Sequence, residues 1–593
     1  MAGLVAEYTN NSAVEDESVE NCTNDGAIEV NASTDPAIAI GTYYYRVAGL
    51  TCYQNFTMRN CENKANGDIT VSGNVILARK NEQPCYGVSG ALAYMTTNGY
   101  PYNITNRGDV NVYTNVSVIE GITDETHCRL DISGVGGYIT RNFQEHVANY
   151  GNITIGKPDV EQTIQANGIY IGGIVSHASS VNCTAINEGN VTIHNKVTLN
   201  SGKNIFISTM HGYLSGTIGT GSTNKGNLVC DATLTAADAG SYIGGVGGWV
   251  SGATLANATN EGNVTFNGGT TNHLFLAGVT GYTSAACSIS DISNNGVVTV
   301  TKDAKNTAQS FVGGVFGYIG KASTLTRVSN STKPGVKYGV VFSRQTSKTS
   351  GSVEIRIGGV MGRMSGVLTT AESVTNSAGL HIDGYQLGSS GLSIGGVAGI
   401  LSNDAHVLGG LVQNSGEILY EGRCPKSNFG FGGCIATLGT KAKSCENIVN
   451  TGDIIVKKAY ADSYPTGTAE KSMQIGGVIG YVQSSITFSN ARCYCDMYMD
   501  QVPSVREIKG TVYTNSFGMI TGSPHMSAIT NSHCGGRIYD EYDVENEKFI
   551  SKTLNAENYF KYICSVPVTA EEAKAANCGY ISSIDATPTF SSK

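Results

Sequence analysis

Ile243-Gly244-Gly245-Val246-Gly247-Gly248-Trp249 reads apolar, small, Gly, aliphatic, variable, small, aromatic, and the same seven-residue pattern returns along the whole chain. Clear copies run from Ile132 to Tyr138, Leu276 to Tyr282, Val312 to Tyr318, Ile394 to Ile400 and Ile475 to Tyr481. Looser copies begin at Val47, Val88, Ile171, Ile207, Ile357 and Phe431. With the third position as anchor the series is Gly3, Gly49, Gly90, Gly134, Gly173, Thr209, Gly245, Gly278, Gly314, Gly359, Gly396, Gly433, Gly477 and a worn copy at Gly518. Neighbouring anchors lie 33 to 46 residues apart. A period in that range is the signature of a solenoid or a propeller, in which each unit buries its apolar face only by stacking on the next.

A second signature follows each anchor: Asn, any residue, Gly, any residue, then a short apolar strand. Examples are Asn106-Arg107-Gly108-Asp109-Val110, Asn187-Glu188-Gly189-Asn190-Val191, Asn260-Glu261-Gly262-Asn263-Val264 and Asn450-Thr451-Gly452-Asp453-Ile454. Asn and Gly both suit a tight corner, and stacked Asn side chains can hydrogen-bond along an axis. No unit carries a helical stripe. The expectation is an all-β, right-handed parallel β-solenoid of about 13–14 repeats over residues 1–540, one coil per repeat. Strand alternation places positions two, four and six inward and positions one, three, five and seven outward. On that reading Thr280, Phe316, Met361, His211 and Ala398, all at position five, face outward or lie under loops.

Composition narrows the partners. Only 14% of the 593 residues are charged and the net charge is −9, which argues against nucleic acid, whose phosphates need clustered Lys and Arg. No apolar run approaches the ~20 residues of a membrane-spanning helix, and no secretory signal is visible. Met1 abuts Ala2-Gly3-Leu4, inside an anchor, which predicts that upstream sequence, a partner protein or a second copy covers the N-terminal coil. After Asp540 the pattern gives way to a capping segment, 541–593, with short helices expected at Thr553 to Ile563 and after the capping box Thr569-Ala570-Glu571-Glu572. Most of the sixteen cysteines read as buried thiols; Cys85 with Cys128, and Cys564 with Cys578, are the disulfide candidates.

Candidate chemistry is sparse. Gly391-Leu392-Ser393-Ile394-Gly395 spells a nucleophile elbow, but Ile394 begins another anchor where that motif needs a helix. Cys493, Cys495, His533 and Cys534 are the one cluster with metal-ligand chemistry, weighed against a degenerate structural unit; no cofactor is expected. Asp68, Asp109 and Asp453 follow the corner Gly, but other units place Asn, Glu, Ala or Val there, which breaks a calcium ladder. Position seven is aromatic at Tyr53, Tyr94, Tyr138, Tyr213, Trp249, Tyr282, Tyr318 and Tyr481. Regular winding stacks these rings at about 4.8 Å, either as a stiffening ladder or as a ligand platform. Insertions at Lys337 to Arg356 and Lys457 to Gln474, the second with Tyr460 and Tyr464, add loops of the kind that gather on a binding face.

The Gly-Gly-Val-x-Gly anchors and Asn-x-Gly corners resemble the GLUG-motif repeat proteins, and the tail around Asn558 to Ile563 and Cys578-Gly579-Tyr580 resembles the ends of such chains in Bacteroidota. The repeats cover about nine-tenths of the chain, and Val often stands where the family has Leu. The resemblance implies an extracellular or cell-surface location and a structural motif, and names no ligand. The expected function is therefore that of a non-enzymatic stalk or adhesin touching a glycan or a surface partner protein. The alternative is a polysaccharide-acting β-helix enzyme, a lyase or hydrolase, which needs charged residues stacked on neighbouring coils in a groove.

Overall fold

The computed structural model describes residues 1–4, 18–33, 45–77, 86–95, 99–118, 128–181, 183–218, 221–238, 240–252, 254–306, 308–346, 354–366, 368–383, 385–386, 391–402, 406–422, 429–439, 444–457, 473–482, 488–499, 505–508, 511–514, 516–523, 529–543 and 548–589. They form two compact units, Met1–Ala285 with Asp303–Thr307, and Ala286–Lys302 with Ala308–Lys593. Each is a parallel β-solenoid.

One coil of the first unit shows the plan. A leading strand, Gly240–Gly244, bends at Gly245 and Val246 into a trailing strand, Gly247–Val250. Thr254–Asn260 then runs to the Asn-Gly corner, and Val264–Phe266 and Gly269–Thr270 return the chain to the next leading strand, His273–Ala277. Each strand of this coil pairs in parallel with its counterparts. Ile243 lies opposite Ile207 and Leu276, and Trp249 opposite Tyr213 and Tyr282. In the second unit Ile394 lies opposite Ile357 and Phe431. Residues one repeat apart are thus hydrogen-bonded neighbours, so each repeat makes one coil.

The seven-residue motif is two strands and a corner, which overturns part of the expected facing. Two bend residues stand outside both ladders and reset the alternation, so position five turns inward. Thr280, His211 and Phe316 are fully buried, and Met361 and Ala398 nearly so. The small positions behave as their chemistry demands. A Cβ on Gly244 would lie 2.2 Å from the carbonyl oxygen of Gly247, so leading and trailing strands meet backbone to backbone.

The two sequence signatures pack on each other. A Cβ on anchor Gly245 would lie 2.1 Å from Gly278 O and 2.5 Å from Oδ1 of Asn260, the corner residue of the same coil. The same contact joins Gly49 to Asn63, Gly90 to Asn106 and Gly134 to Asn149, and in the second unit Gly359 to Asn376 and Gly396 to Asn414. Inside each corner the buried asparagines form a ladder. In the first unit Asn24, Asn63, Asn106, Asn149, Asn187 and Asn224 each donate Nδ2–H to Oδ1 of the next, ending on Asn260, at 2.7 to 2.9 Å. In the second unit the series is Asn294, Asn330, Asn376, Asn414 and Asn450. The other amide hydrogen closes the corner, as from Asn224 to Gly226 O at 2.8 Å. Buried amides satisfied in this way stabilise the stack, whereas unsatisfied ones would cost about 1–3 kcal/mol each. Thr209 is the exception among the anchors, and its hydroxyl donates to Gly245 O.

The capping segment holds the expected helix, Ala570–Ala575, with both bonds of the Thr569–Glu572 capping box. Thr553 to Ile563 is not one helix. The strand Lys548–Thr553 ends there, and a 3-10 turn, Tyr559–Tyr562, follows. Asn555 and Asn558 explain the difference: Glu557 N–H donates to Asn555 Oδ1, Asn555 N–H to Asn558 Oδ1, and Asn558 Nδ2 to Thr553 O, a local network that competes with a helical turn. Cys564 and Cys578 are free thiols, not a pair; their Sγ atoms donate to Val566 O and Ala576 O. Cys85, the candidate partner of Cys128, lies outside the described residues.

Two consequences are measurable. Asn224→Asp keeps the shape but removes the donor and sets a carboxylate oxygen against Asn260 Oδ1, so it should destabilise by about 3 kcal/mol or more, like Asn224→Ala. Equilibrium denaturation near wild-type stability for the Asp variant would contradict the ladder. Thr280→Asp and Val246→Asp should be comparably damaging, by several kcal/mol, since both bury a carboxylate; a neutral Thr280→Asp would return position five to the surface.

Candidate functional site

The aromatic column at position seven was the leading site candidate, and the structure places Tyr138, Tyr213, Trp249, Tyr282, Tyr318 and Tyr481 at half-buried positions of the trailing strands. Tyr94 and Tyr138 stack with centroids 5.5 Å apart and planes 8° apart. Further along the stack breaks: Trp249 meets Tyr282 edge-on, at 4.6 Å and 84°. The cause is a second aromatic column that lies one residue before the motif, Tyr170, Phe206, Tyr242 and Phe275, on the leading strands. Phe206–Tyr242 and Tyr242–Phe275 stack at 16° and 10°, and Tyr242 packs edge-on to Trp249 at 4.6 Å. The signal for this column was present in the sequence, in the residues preceding Ile171, Ile207, Ile243 and Leu276.

Polar tips of the outer column are tied to the next coil. Trp249 Nε1 donates to Ser284 Oγ at 2.7 Å, and Tyr318 Oη to Ser365 Oγ at 2.7 Å. Arg363, which interrupts the column, lies 5.1 Å from the Tyr318 ring centroid and donates Nε–H to Ser402 Oγ. Rings of the column from Tyr94 to Tyr138 and from Tyr213 to Tyr282 meet rings of the neighbouring coils, stacked, tilted or edge-on, and Trp249 and Tyr282 are half-buried. Such an arrangement stiffens the stack, whereas a stacking platform for a sugar presents open faces.

Between the two columns lies a buried polar cluster that the sequence reading missed. Arg129 forks onto Asp131 through Nε and Nη2 at 2.9 and 2.8 Å, and Ser176 Oγ donates to Asp131 Oδ1 at 2.7 Å. The guanidinium lies 3.7 Å from the Tyr170 ring centroid. With both carboxylate oxygens bonded and both charges paired, this cluster is built for packing; breaking one partner would leave a buried charge.

The remaining candidates fall into structural places. Cys493 and Cys495 share one face of the strand Arg492–Met499, their sulfurs 3.4 Å apart, and Cys534 pairs with Cys493 on the next strand. His533 Nδ1 accepts the N–H of Gly579. Among the described residues no group of three or more His, Cys, Asp or Glu side chains has metal-binding geometry. Ser393 is buried in a leading strand, bonded to Arg356 Nη1 and Thr437 Oγ1. Asp68, Asp109 and Asp453 accept backbone N–H groups of the following coil, from Asp109, Asn152 and Asp496. Tyr460 and Tyr464 lie outside the described residues. No family model, no curated protein and no solved structure matches this chain.

His211, at position five, has no partner on either ring nitrogen, and burial alone pushes its pKa down to about 3. The imidazole is neutral in the fold and protonates in the unfolded chain below about 6.5. Its contribution is therefore complete above pH 6.5 and lost as pH falls toward 3, by about 2 kcal/mol between pH 6.5 and 5. His211→Val, which copies Val175 at the equivalent position, should remove that share of the acid sensitivity in denaturant titrations at pH 7.5 and 5. An unchanged difference between the two pH values would refute the assignment.

Proposed function

We propose that this chain is a non-enzymatic, GLUG-type repeat protein of the cell surface or extracellular space, a stalk or adhesin that meets a glycan or a partner protein. The observation that supports this most is where the repeated functional groups point. Corner amides, aromatic rings and the residues after the corner Gly are all engaged coil to coil, which favours a stiff scaffold displaying whatever its outer faces carry. A polysaccharide-cleaving site would need carboxylates free on adjacent coils. Several described carboxylates are paired across coils instead: Glu62 with Arg107, Asp291 and Glu372 with Arg327, Glu421 with Lys457, Asp496 with Arg537.

Immobilised glycan arrays, run beside reducing-end assays on soluble polysaccharides, separate the alternatives. Retention on glycans or on a host surface protein without new reducing ends or unsaturated products is expected. Catalytic release of either product would replace this reading with the enzymatic one.

A further inference from the structure

We infer that the second unit carries a groove for an acidic oligosaccharide, built on its last coils by Asn447, Asn490, Arg492, Asn531, His533 and Asn577. The inference rests on the glycan-binding form of the adhesin reading and assigns it a place. The groove has a volume of about 740 Å3, within the range of small-ligand sites.

Two columns form it. Asn447, Asn490, Asn531 and Asn577 occupy a bulge three residues before successive corner positions, with φ of 55°, 55°, 47° and 53°. Asn is the side chain that tolerates this left-handed backbone best after Gly. Asn577 donates Nδ2–H to Asn531 Oδ1, and Asn531 to Asn490 Oδ1. There the amide chain stops. Asn447 turns its Nδ2 to Gly409 O, and Asn490 Nδ2 donates to no described residue, so a donor is left at the groove. Beside it, Val449, Arg492 and His533 stand in register on adjacent strands. The segment ending in Thr587 and Pro588 forms a wall, and Arg492 Nη1 donates to Ile584 O at 2.8 Å.

Charge and polarity select the ligand. Asp and Glu are absent from the described residues that line this groove, although the chain carries a net charge of −9. Arg492 has no carboxylate partner among the described residues, and His533 is held neutral by burial and by Arg492, its pKa down to about 4. A guanidinium without a counter-ion matches a carboxylate. Side-chain amides, each donor and acceptor, match vicinal hydroxyls, and Leu411 and Val449 offer an apolar strip to the C–H face of a sugar ring. A peptide would be read by a free strand edge, but Arg492 and His533 lie in strands paired on both sides. The class that fits is a short glycan with a uronate-type acid group.

The test is calorimetric titration of the full chain with trigalacturonate, its neutral methyl ester, sialyllactose and a heparin-derived tetrasaccharide. At least one acidic sugar should bind, and neutralising its carboxyl group should weaken binding by about tenfold, as expected for one charged hydrogen bond. Arg492→Gln should reproduce that loss. Asn490→Gly, which suits the left-handed backbone and releases only an exposed Asn531 donor, should weaken binding with little change in melting temperature. Millimolar acidic sugars that fail to bind, or affinities indifferent to both variants, overturn the groove. Glycan-array retention that survives both variants removes the groove and leaves the adhesin reading standing; loss of all glycan retention in the unaltered chain removes the glycan reading itself.

Discussion

The contact between anchor glycine and corner asparagine governs the rest of the molecule. Each coil must turn sharply twice, and the two turns share one small volume. At nearly every anchor a residue without Cβ leaves room for the Asn side chain, since a Cβ at Gly245 would sit 2.5 Å from Asn260 Oδ1; Thr209, in the coil of Asn224, is the exception. Only a side chain with both donor and acceptor can bond its own corner and the next coil together. Where one member of the pair changes, the other end of the system responds. In the second unit the ladder stops at Asn450, opposite Cys493, whose sulfur would lie 2.5 Å from a Cβ on Gly477. From there the corner is filled by thiols, and the coils pass into the capping strands and the helix Ala570–Ala575.

The same economy explains why the interior tolerates polar groups at position five. His211 and Thr280 are buried beside residues as different as Val175 and Gly247. Backbone ladders and the Asn stack already fix the register, so this column varies from coil to coil, from Thr to Phe to Met, without moving a strand. The cost falls on stability at low pH, through a neutral imidazole that the unfolded chain would protonate.

Function, on this view, is added to the coils. Outer positions change freely, since surface substitutions seldom alter stability by more than about 0.5 kcal/mol. Asn447, Asn490, Asn531 and Asn577 illustrate the point: their left-handed backbone belongs to the bulge of the fold, while their amides, gathered beside an arginine with no carboxylate partner among the described residues, acquire binding chemistry by placement.

The sequence by itself determined the period, the one-coil repeat, the parallel pairing and the Asn ladder, because each is a local demand repeated in register: a glycine at nearly every anchor, an amide at nearly every corner, an aliphatic between small residues. It also marked the capping box at Thr569. It could not place the bend within the seven-residue motif, since a run of small and aliphatic residues fits one continuous strand as well as two strands meeting at a corner. The facing of Thr280 and the second aromatic column through Tyr242 followed only once that bend was located. The groove at Arg492 was likewise decided by tertiary structure: its residues lie up to 177 positions apart, from Leu411 to Pro588, and winding alone brings them to one face.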